Sequence, residues 1–313
     1  MSEWIFTHGD GDGLCAGSIA LAAKPHSTVF FTHPVGLLED LEQVKPGDSV
    51  IICDISLSQS HISEILERFR EISKTGNLIY IDHHPLPASV KKQSIPGQVL
   101  HKTGSSASEL AYILFHGELN PFLSRNALYG AIADYLDDTP VVHQLLKRWD
   151  KRTIYLETGI LVQGIEGLKR DHEFKRHIVQ NLAKNFPPSL DRRLLELAIE
   201  NTHREEVVIR ELKDYIQIYG KIAYVLNFPF SLGKTAIYAR ALTEKVVGVA
   251  GEERKGFIDM SLRTGEENVD LNNILRDIAP RLGGSGGGHP AAAGARIPKQ
   301  NFQQFIRKLN EAL

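Results

Sequence analysis

Trp4-Ile5-Phe6-Thr7-His8-Gly9-Asp10-Gly11-Asp12-Gly13-Leu14-Cys15-Ala16 is the stretch from which the fold is read. An apolar run of strand length is followed by a polar, glycine-rich segment and then by small residues, Leu14 to Ala23, that suit a helix. His8, Asp10 and Asp12 occupy alternate positions, interleaved with Gly9, Gly11 and Gly13. In extended backbone that alternation sends the three side chains to one side, and the glycines let the chain bend tightly around what they hold. Two carboxylates and an imidazole converging on one point repel unless a cation sits between them, so a hard divalent metal is one expectation. A polar turn that caps the following helix is the other. A Rossmann phosphate loop fails, because Asp10 and Asp12 would face a pyrophosphate with no metal to offset them.

Outward from this stretch the pattern repeats. Residues 28–33, 49–53 and 78–81 are β-branched and apolar, and Ile55 to Lys74 carries Ile62, Ile65, Leu66, Phe69 and Ile72 at helical spacing. Strands alternating with helices predict βαβ units and a mostly parallel sheet, in which ligands bind beyond the carboxyl ends of the strands. Acids and imidazoles stand at those ends: His8, Asp10 and Asp12, then Asp54, then Asp82-His83-His84. A fourth apolar run, Ala-Leu-Tyr-Gly-Ala-Ile-Ala, stops at Asp134, with Asp137 and Asp138 close behind; Asp134 is preferred because it lies where the run ends. Four clusters of metal-type ligands at four element ends favour a metal site over four unrelated turns. Ser105 and Ser106, in Thr-Gly-Ser-Ser-Ala-Ser-Glu, open a further helix as caps, with phosphate contact the weaker alternative.

With 313 residues, 42% hydrophobic, the chain has material for two domains. It has no apolar run of the ~20 residues that a membrane span needs, and its start lacks a basic-then-apolar signal pattern; a soluble, cytoplasmic protein is expected. Cys15 and Cys53 make neither a disulfide framework nor a zinc pattern, and are read as small buried residues. A net charge of -2 argues against a broadly basic nucleic-acid coat, so phosphates must be met locally.

From about Pro140 to Tyr219 strand-like runs disappear, and amphipathic stretches such as Thr153 to Lys169, His172 to Asn185 and Leu190 to Tyr219 indicate a helical connector or insert. Its basic residues Lys151, Arg152, Lys169, Arg170, Lys175, Arg176, Arg192 and Arg193 are interleaved with acids and read as a solvated face. The last third returns to α/β pattern, with strands at Ile222–Leu226, Val246–Ala250 and Gly256–Leu262. Within it, Gly283-Gly284-Ser285-Gly286-Gly287-Gly288-His289 is unsuited to core packing and is expected to wrap backbone N–H groups around an anion, with His289 adding a hydrogen bond or charge. The expected architecture is α/β in two lobes: a parallel-sheet domain over 1–139, a helical connector over 140–219 and a smaller α/β domain over 220–313.

Taken in order, His-x-Asp-x-Asp-Gly, the strand-end Asp54, Asp82-His83-His84 and Gly-Ala-Ile-Ala-Asp134 resemble the four motifs of the DHH phosphoesterase superfamily. Gly286-Gly287-Gly288-His289 with Ala292-Ala293-Gly294, and Ser261-Leu262-Arg263, resemble the signatures of its associated C-terminal domain. Ser285 interrupts the glycines but leaves 286–294 intact. The resemblance implies two Mn²⁺ ions, with Mg²⁺ or Co²⁺ as substitutes. His8, Asp10 and Asp54 would ligate one, and Asp12, Asp54, His83 and Asp134 the other. Asp54 would bridge, His84 would face the substrate phosphate, and Asp82 would support the histidines. Arg263, Gly286, Gly287, Gly288 and His289 would bind the substrate, Arg263 as a bidentate phosphate clamp.

The activity so implied is hydrolysis of single-stranded nucleic acid from an end, 3′-to-5′, by a hydroxide bridging the two metals, as in RecJ-like and archaeal Hef-associated nucleases. A homo-oligomer, with a possible DNA-repair partner, is implied as well. The alternatives are a nanoRNase/pAp phosphatase acting on very short oligonucleotides, and an inactive scaffold of a replication or repair complex. The scaffold is disfavoured because all six ligands are present. Family II pyrophosphatases lack the C-terminal signature, and the layout lacks the sensor and membrane segments of cyclic-di-AMP phosphodiesterases.

Overall fold

A computed structural model describes residues 1–168 and 171–313; Lys169, the end of one expected helix, and Arg170, both among the basic residues of the expected insert, lie outside the described residues. The chain divides into two compact units, Met1–Thr202 and His203–Leu313.

In the first unit the elements run β1 (Glu3–Thr7), α1 (Gly11–Ala23), β2 (Thr28–Phe31), α2 (Leu37–Asp40), β3 (Ser49–Cys53), α3 (Ile62–Thr75), β4 (Asn77–Asp82), β5 (Gln98–His101), α4 (Ala107–Phe115), α5 (Ser124–Ala133), α6 (Pro140–Leu146), α7 (Lys151–Glu166) and α8 (His172–Ala183). The five strands are all parallel, in the order β2-β1-β3-β4-β5. The chain moves from β1 outward to β2 and then returns to the other side of β1, so β1 and β3 flank the switch point where parallel sheets bind ligands.

Strand alternation builds two cores. Ile5, Ile51, Cys53, Ile79 and Ile81 face one layer, with α1, α4 and α5. Their neighbours Phe6, Val50, Ile52, Leu78 and Tyr80 face the other, with Ile65, Phe69 and Ile72 of α3. Both faces being covered explains why these strands read as continuous apolar runs. Helix α1 is buried from Gly11 to Ala20, which only small residues permit where α4, α5 and α8 all press on it. The helices after residue 140 join the same core, through Ile154, Leu161 and Ile165 of α7 and Phe174, Ile178 and Leu182 of α8. Both cysteines are free and buried, as expected. Among the described residues no helix is long and apolar enough to cross a membrane. Strand β5 was not foreseen: it is short, at the sheet edge and half exposed, so no alternating pattern marks it.

Helix α9 (Arg192–Leu212) ends in the second unit, where Val208 and Leu212 pack with Ala223, Val225 and Ala239. There follow β6 (Gln217–Tyr219), β7 (Ile222–Leu226), α10 (Leu232–Thr243), β8 (Val247–Arg254), β9 (Phe257–Thr264), α11 (Leu271–Arg281), β10 (Ser285–Gly288), β11 (Ala292–Pro298) and α12 (Phe302–Ala312). The sheet order is β10-β11-β9-β8-β7-β6, antiparallel except for β7 with β8. Two expectations are corrected. Residues 217–219, read as the end of a helix, form the exposed edge strand β6. The glycine run is also a strand: β10 pairs with β11, and a Cβ on Gly286 would stand 3.0 Å from Leu275 Cβ. The missing side chains are what let α11 lie against this edge, so the run does serve packing.

Candidate metal centre

The opening segment is not extended throughout. Asp10 is the N-cap of α1, with its side chain accepting from Gly13 N at 3.0 Å, and Asp12 already lies in the first helical turn. Capping and metal ligation were posed as alternatives, yet one carboxylate can serve both. The chain does bend at residues 9–10, as expected, but without a left-handed glycine: none of Gly9, Gly11 and Gly13 has positive φ. A Cβ on Gly13 would stand 2.4 Å from the His8 carbonyl oxygen, so glycine is needed there for close approach of helix start and strand end.

Around this cap the predicted ligands meet. His8, Asp10 and Asp54 bring their ligating atoms within 4.8 Å of one another, as do Asp12, Asp54 and His83, so Asp54 belongs to both groups. His83 Nε2 lies 3.1 Å from Asp54 Oδ1 and 3.8 Å from Asp12 Oδ2, and it is also 3.5 Å from Asp134 Oδ2, so Asp134 stands beside the second group through His83. Asp54 adopts φ 59°, a left-handed conformation that aspartate tolerates better than most residues. Asp137 and Asp138 turn elsewhere, to Tyr155 and His143.

The electrostatics follow from this crowding of acids. Burial, then the charges of Asp10, Asp12 and Asp134, pushes the Asp54 carboxyl well above the usual carboxylate range. Asp134 is pushed up to about 8, by burial and then by Asp12 and Asp10. Asp10, half exposed, is held low: crowding opposes its charge, but the His8 imidazole 2.6 Å away outweighs it. His8 in turn is raised, chiefly by Asp10. Buried carboxylates in mutual repulsion, mixed with imidazoles, are a donor set that fits divalent metal.

Supporting contacts were only partly foreseen. Asp82 accepts from Tyr80 Oη and lies 2.9 Å from His84 Nδ1. Burial works against charge on His84, yet Asp82 outweighs it and raises the imidazole to about 9. A third group, Asp54, Asp82 and His84, also clusters, but Asp82 is already engaged by Tyr80 and His84. His101 Nε2 lies 2.7 Å from the His84 carbonyl. Asp12 accepts from Ala107 N at 2.6 Å and Ser108 N at 2.9 Å, the first amides of α4. A helix N-terminus thus steadies a buried carboxylate. Ser106 caps that helix, accepting from Glu109 N. Gly130 is fixed by the same packing, since a Cβ there would come within 2.5 Å of Asp12 Oδ1.

Lys175 corrects the reading of the insert as a solvated face. Arg152, Arg192 and Arg193 do pair with Asp150, Glu196 and Asp171 near the surface. Lys175, 8% exposed, instead donates from Nζ to the Gly9 carbonyl at 2.5 Å, between two predicted ligands. Burial lowers its pKa, against the pull of Asp10 and Glu166. The alternation of charges around it hid this residue; the buried Phe174 and Ile178 beside it were the available signal.

In the second unit, Arg263 Nη1 donates to Ser261 Oγ at 2.7 Å and to the Leu262 carbonyl at 2.9 Å. The strand register sets Ala292 opposite Arg263 and Ala293 opposite both Leu262 and Gly288, so Arg263 and Gly288-His289 lie at one end of the sheet. Gly288 has φ 143°, which favours glycine, and donates from N to Asn272 Oδ1. Gly286 and Gly287 stand further along the same strand.

Comparison with known proteins bears on the fold and the family. The chain is 24% identical over 274 residues to an uncharacterized protein of Methanocaldococcus jannaschii, covering 86% of this chain and 73% of that one. Among solved structures, the DHH domain of a protein described as a member of a ribosomal-protein family matches with TM-score 0.74 at 15% identity, over 99% of this chain and 86% of that one. RecJ from Thermus thermophilus in complex with Mn²⁺ matches with TM-score 0.69 at 18% identity, over 99% of this chain and 51% of that one. A pGpG-specific phosphodiesterase from Vibrio cholerae matches with TM-score 0.60 at 13% identity, over 99% and 98%. Residues 4–136 match the DHH family N-terminal domain and residues 223–313 the DHHA1 domain, between them most of the chain. The protein belongs to the DHH superfamily.

Proposed function

We propose that the protein is a Mn²⁺-dependent phosphodiesterase that degrades single-stranded nucleic acid from its 3′ end and releases mononucleotides. One observation carries this: two groups of ligand atoms, each within 4.8 Å, share the buried Asp54. In this reading His8, Asp10 and Asp54 hold one cation, Asp12, Asp54, His83 and Asp134 the other. Two cations there would lower the pKa of a shared water and offset charge on the phosphoryl oxygens. His84, kept protonated by Asp82, bonds a phosphoryl oxygen and stabilises charge as it develops. Tyr80 and His101 fix the frame of that histidine. Arg263 grips a phosphate through its guanidinium, with Gly286, Gly287, Gly288 and His289 offering backbone and imidazole donors beside it. The protein acts in the cytoplasm and as a homo-oligomer in this reading. The RecJ and phosphodiesterase neighbours are consistent with a nucleotide phosphodiester as the bond cleaved.

The test is digestion of a 5′-labelled and a 3′-labelled oligonucleotide with Mn²⁺. Early release of the 3′ label as mononucleotide supports the proposal, and early release of the 5′ label reverses the polarity. Much faster turnover of a dinucleotide than of the long strand replaces the exonuclease with the nanoRNase reading. No hydrolysis of single strands, dinucleotides or pAp removes the enzyme reading altogether.

A further inference from the structure

Helix α5 ends at Ala133, and Tyr135 and Leu136 close it with a C-terminal motif. Leu136 N donates to the Ala131 carbonyl at 2.8 Å and Tyr135 N to the Ile132 carbonyl at 3.2 Å, with Tyr135 at φ 57°. The left-handed position of this motif is normally glycine, sometimes asparagine, because a Cβ is strained there. Among the described residues, the other non-glycine residues with positive φ are Asp54, Asn185, Asn227, Glu244 and Lys255, so Tyr135 is the one aromatic. Burial does not repay the strain, because Tyr135 is 80% exposed. Neither backbone preference nor packing therefore selects tyrosine at this position. Backbone strain kept beside a site is a reason to look for function there. Tyr135 follows directly on Asp134, whose carboxylate lies 3.5 Å from His83. The two motif hydrogen bonds fix the backbone from which the ring projects.

We propose that Tyr135 is a stacking platform for the nucleobase adjoining the scissile phosphate, making the centre selective for nucleotides that carry a base. This rests on the nuclease reading above. An aromatic face accepts any base with little sequence preference, which suits a single-strand substrate.

The test measures kcat and KM with Mn²⁺ for the wild type, Tyr135→Gly and Tyr135→Phe. Each acts on an ordinary oligonucleotide and on the same strand with abasic terminal nucleotides. Tyr135→Gly is expected to lower kcat/KM on the ordinary strand about ten- to a hundredfold, mainly through KM. Its loss on the abasic strand is much smaller, and it raises the melting temperature by relieving strain. Tyr135→Phe behaves as the wild type. Equal losses on both strands, full activity of Tyr135→Gly on the ordinary strand, or a lowered melting temperature overturns the platform. A wild type inactive on both strands overturns the nuclease reading instead.

Discussion

The carboxyl ends of β1, β3 and β4 and the sheet end around Arg263 are built in opposite ways. The first region concentrates charge: Asp12, Asp54 and His83 are at most 3% exposed, and like charges face each other. The second is assembled from backbone and from residues without side chains, with Arg263 held by a serine hydroxyl and a carbonyl. A cluster of buried carboxylates is costly to fold unless a cation neutralises it, whereas a glycine edge with one guanidinium is inexpensive and adaptable. In the proposed enzyme the first region carries the chemistry and the second the grip. The two should respond differently to substitution, pH and metal.

The largest expected effect comes from Asp54. Asp54→Asn is the clean variant, because asparagine tolerates the left-handed backbone. It should abolish Mn²⁺-dependent hydrolysis, by about a thousandfold or more in kcat, since each metal group loses the ligand they share. The same change should raise the melting temperature of the metal-free protein by removing one of the repelling carboxylates. Near-normal turnover would show that the metal assignment is wrong. The pH dependence has the same origin. Asp54 and Asp134 have folded pKa values raised above 3.8, Asp134 to about 8, and His84 is raised from 6.5 to about 9. For groups raised on folding, the stabilising contribution is full below the unfolded pKa and is lost as pH rises through the folded one. Metal-free protein should therefore lose stability from about pH 4 to pH 9, and saturating Mn²⁺ should flatten that slope. Calorimetry across this range, with and without metal, decides it.

Arg263→Ala probes the other region. It should lower kcat/KM about ten- to a hundredfold, chiefly through KM, which corresponds to about 1.5–3 kcal/mol for a charged hydrogen-bonded contact. Mn²⁺ affinity and the pH–stability slope should not change. A loss confined to kcat would place Arg263 with the chemistry and erase the contrast.

The two regions were also unequally legible. The acid cluster was visible because its ligands stand at the ends of apolar runs, and strand period carries them to one edge. The details of its support were not. That Asp12 rests on the amides of Ala107 and Ser108 depends on packing between residues 95 positions apart. Lys175 reaches Gly9 across 166 positions, and nothing in its neighbouring charges separates it from the surface residues around it. In the second unit the glycine run was read as backbone wrapped around an anion and not as a strand, because composition does not reveal that α11 needs a side-chain-free edge to pack against. Strand β6, three exposed residues long, has no apolar face to announce it.

Lys175 sharpens the contrast at smaller scale. Lys175→Met keeps the apolar stem but removes the ammonium from the Gly9 carbonyl, between His8 and Asp10. It should weaken the cation held by His8, Asp10 and Asp54 about tenfold, a loss of roughly 1.4 kcal/mol, and leave the other nearly unchanged. A Mn²⁺ titration that resolves two sites would show one shifted and one fixed. Equal weakening of both would mean that the lysine supports the fold as a whole.

The smallest effect is expected at Ser106, where helix capping and phosphate contact predict different outcomes. Its side chain accepts from Glu109 N as the N-cap of α4, and the amides just beyond it hold Asp12. Ser106→Ala should cost about 1 kcal/mol of stability, whereas Ser106→Gly should cost only a few tenths. Ser106→Asp keeps a capping oxygen and should preserve the helix start, but it adds negative charge close to Asp12. If Ser106 serves only as a cap, KM for the oligonucleotide stays within about twofold in the Ala and Gly variants, less than 0.5 kcal/mol by the tenfold-per-1.4 kcal/mol rule. A KM that rises in the Gly variant while its stability holds would move Ser106 from the scaffold of the charged region to the grip on the substrate.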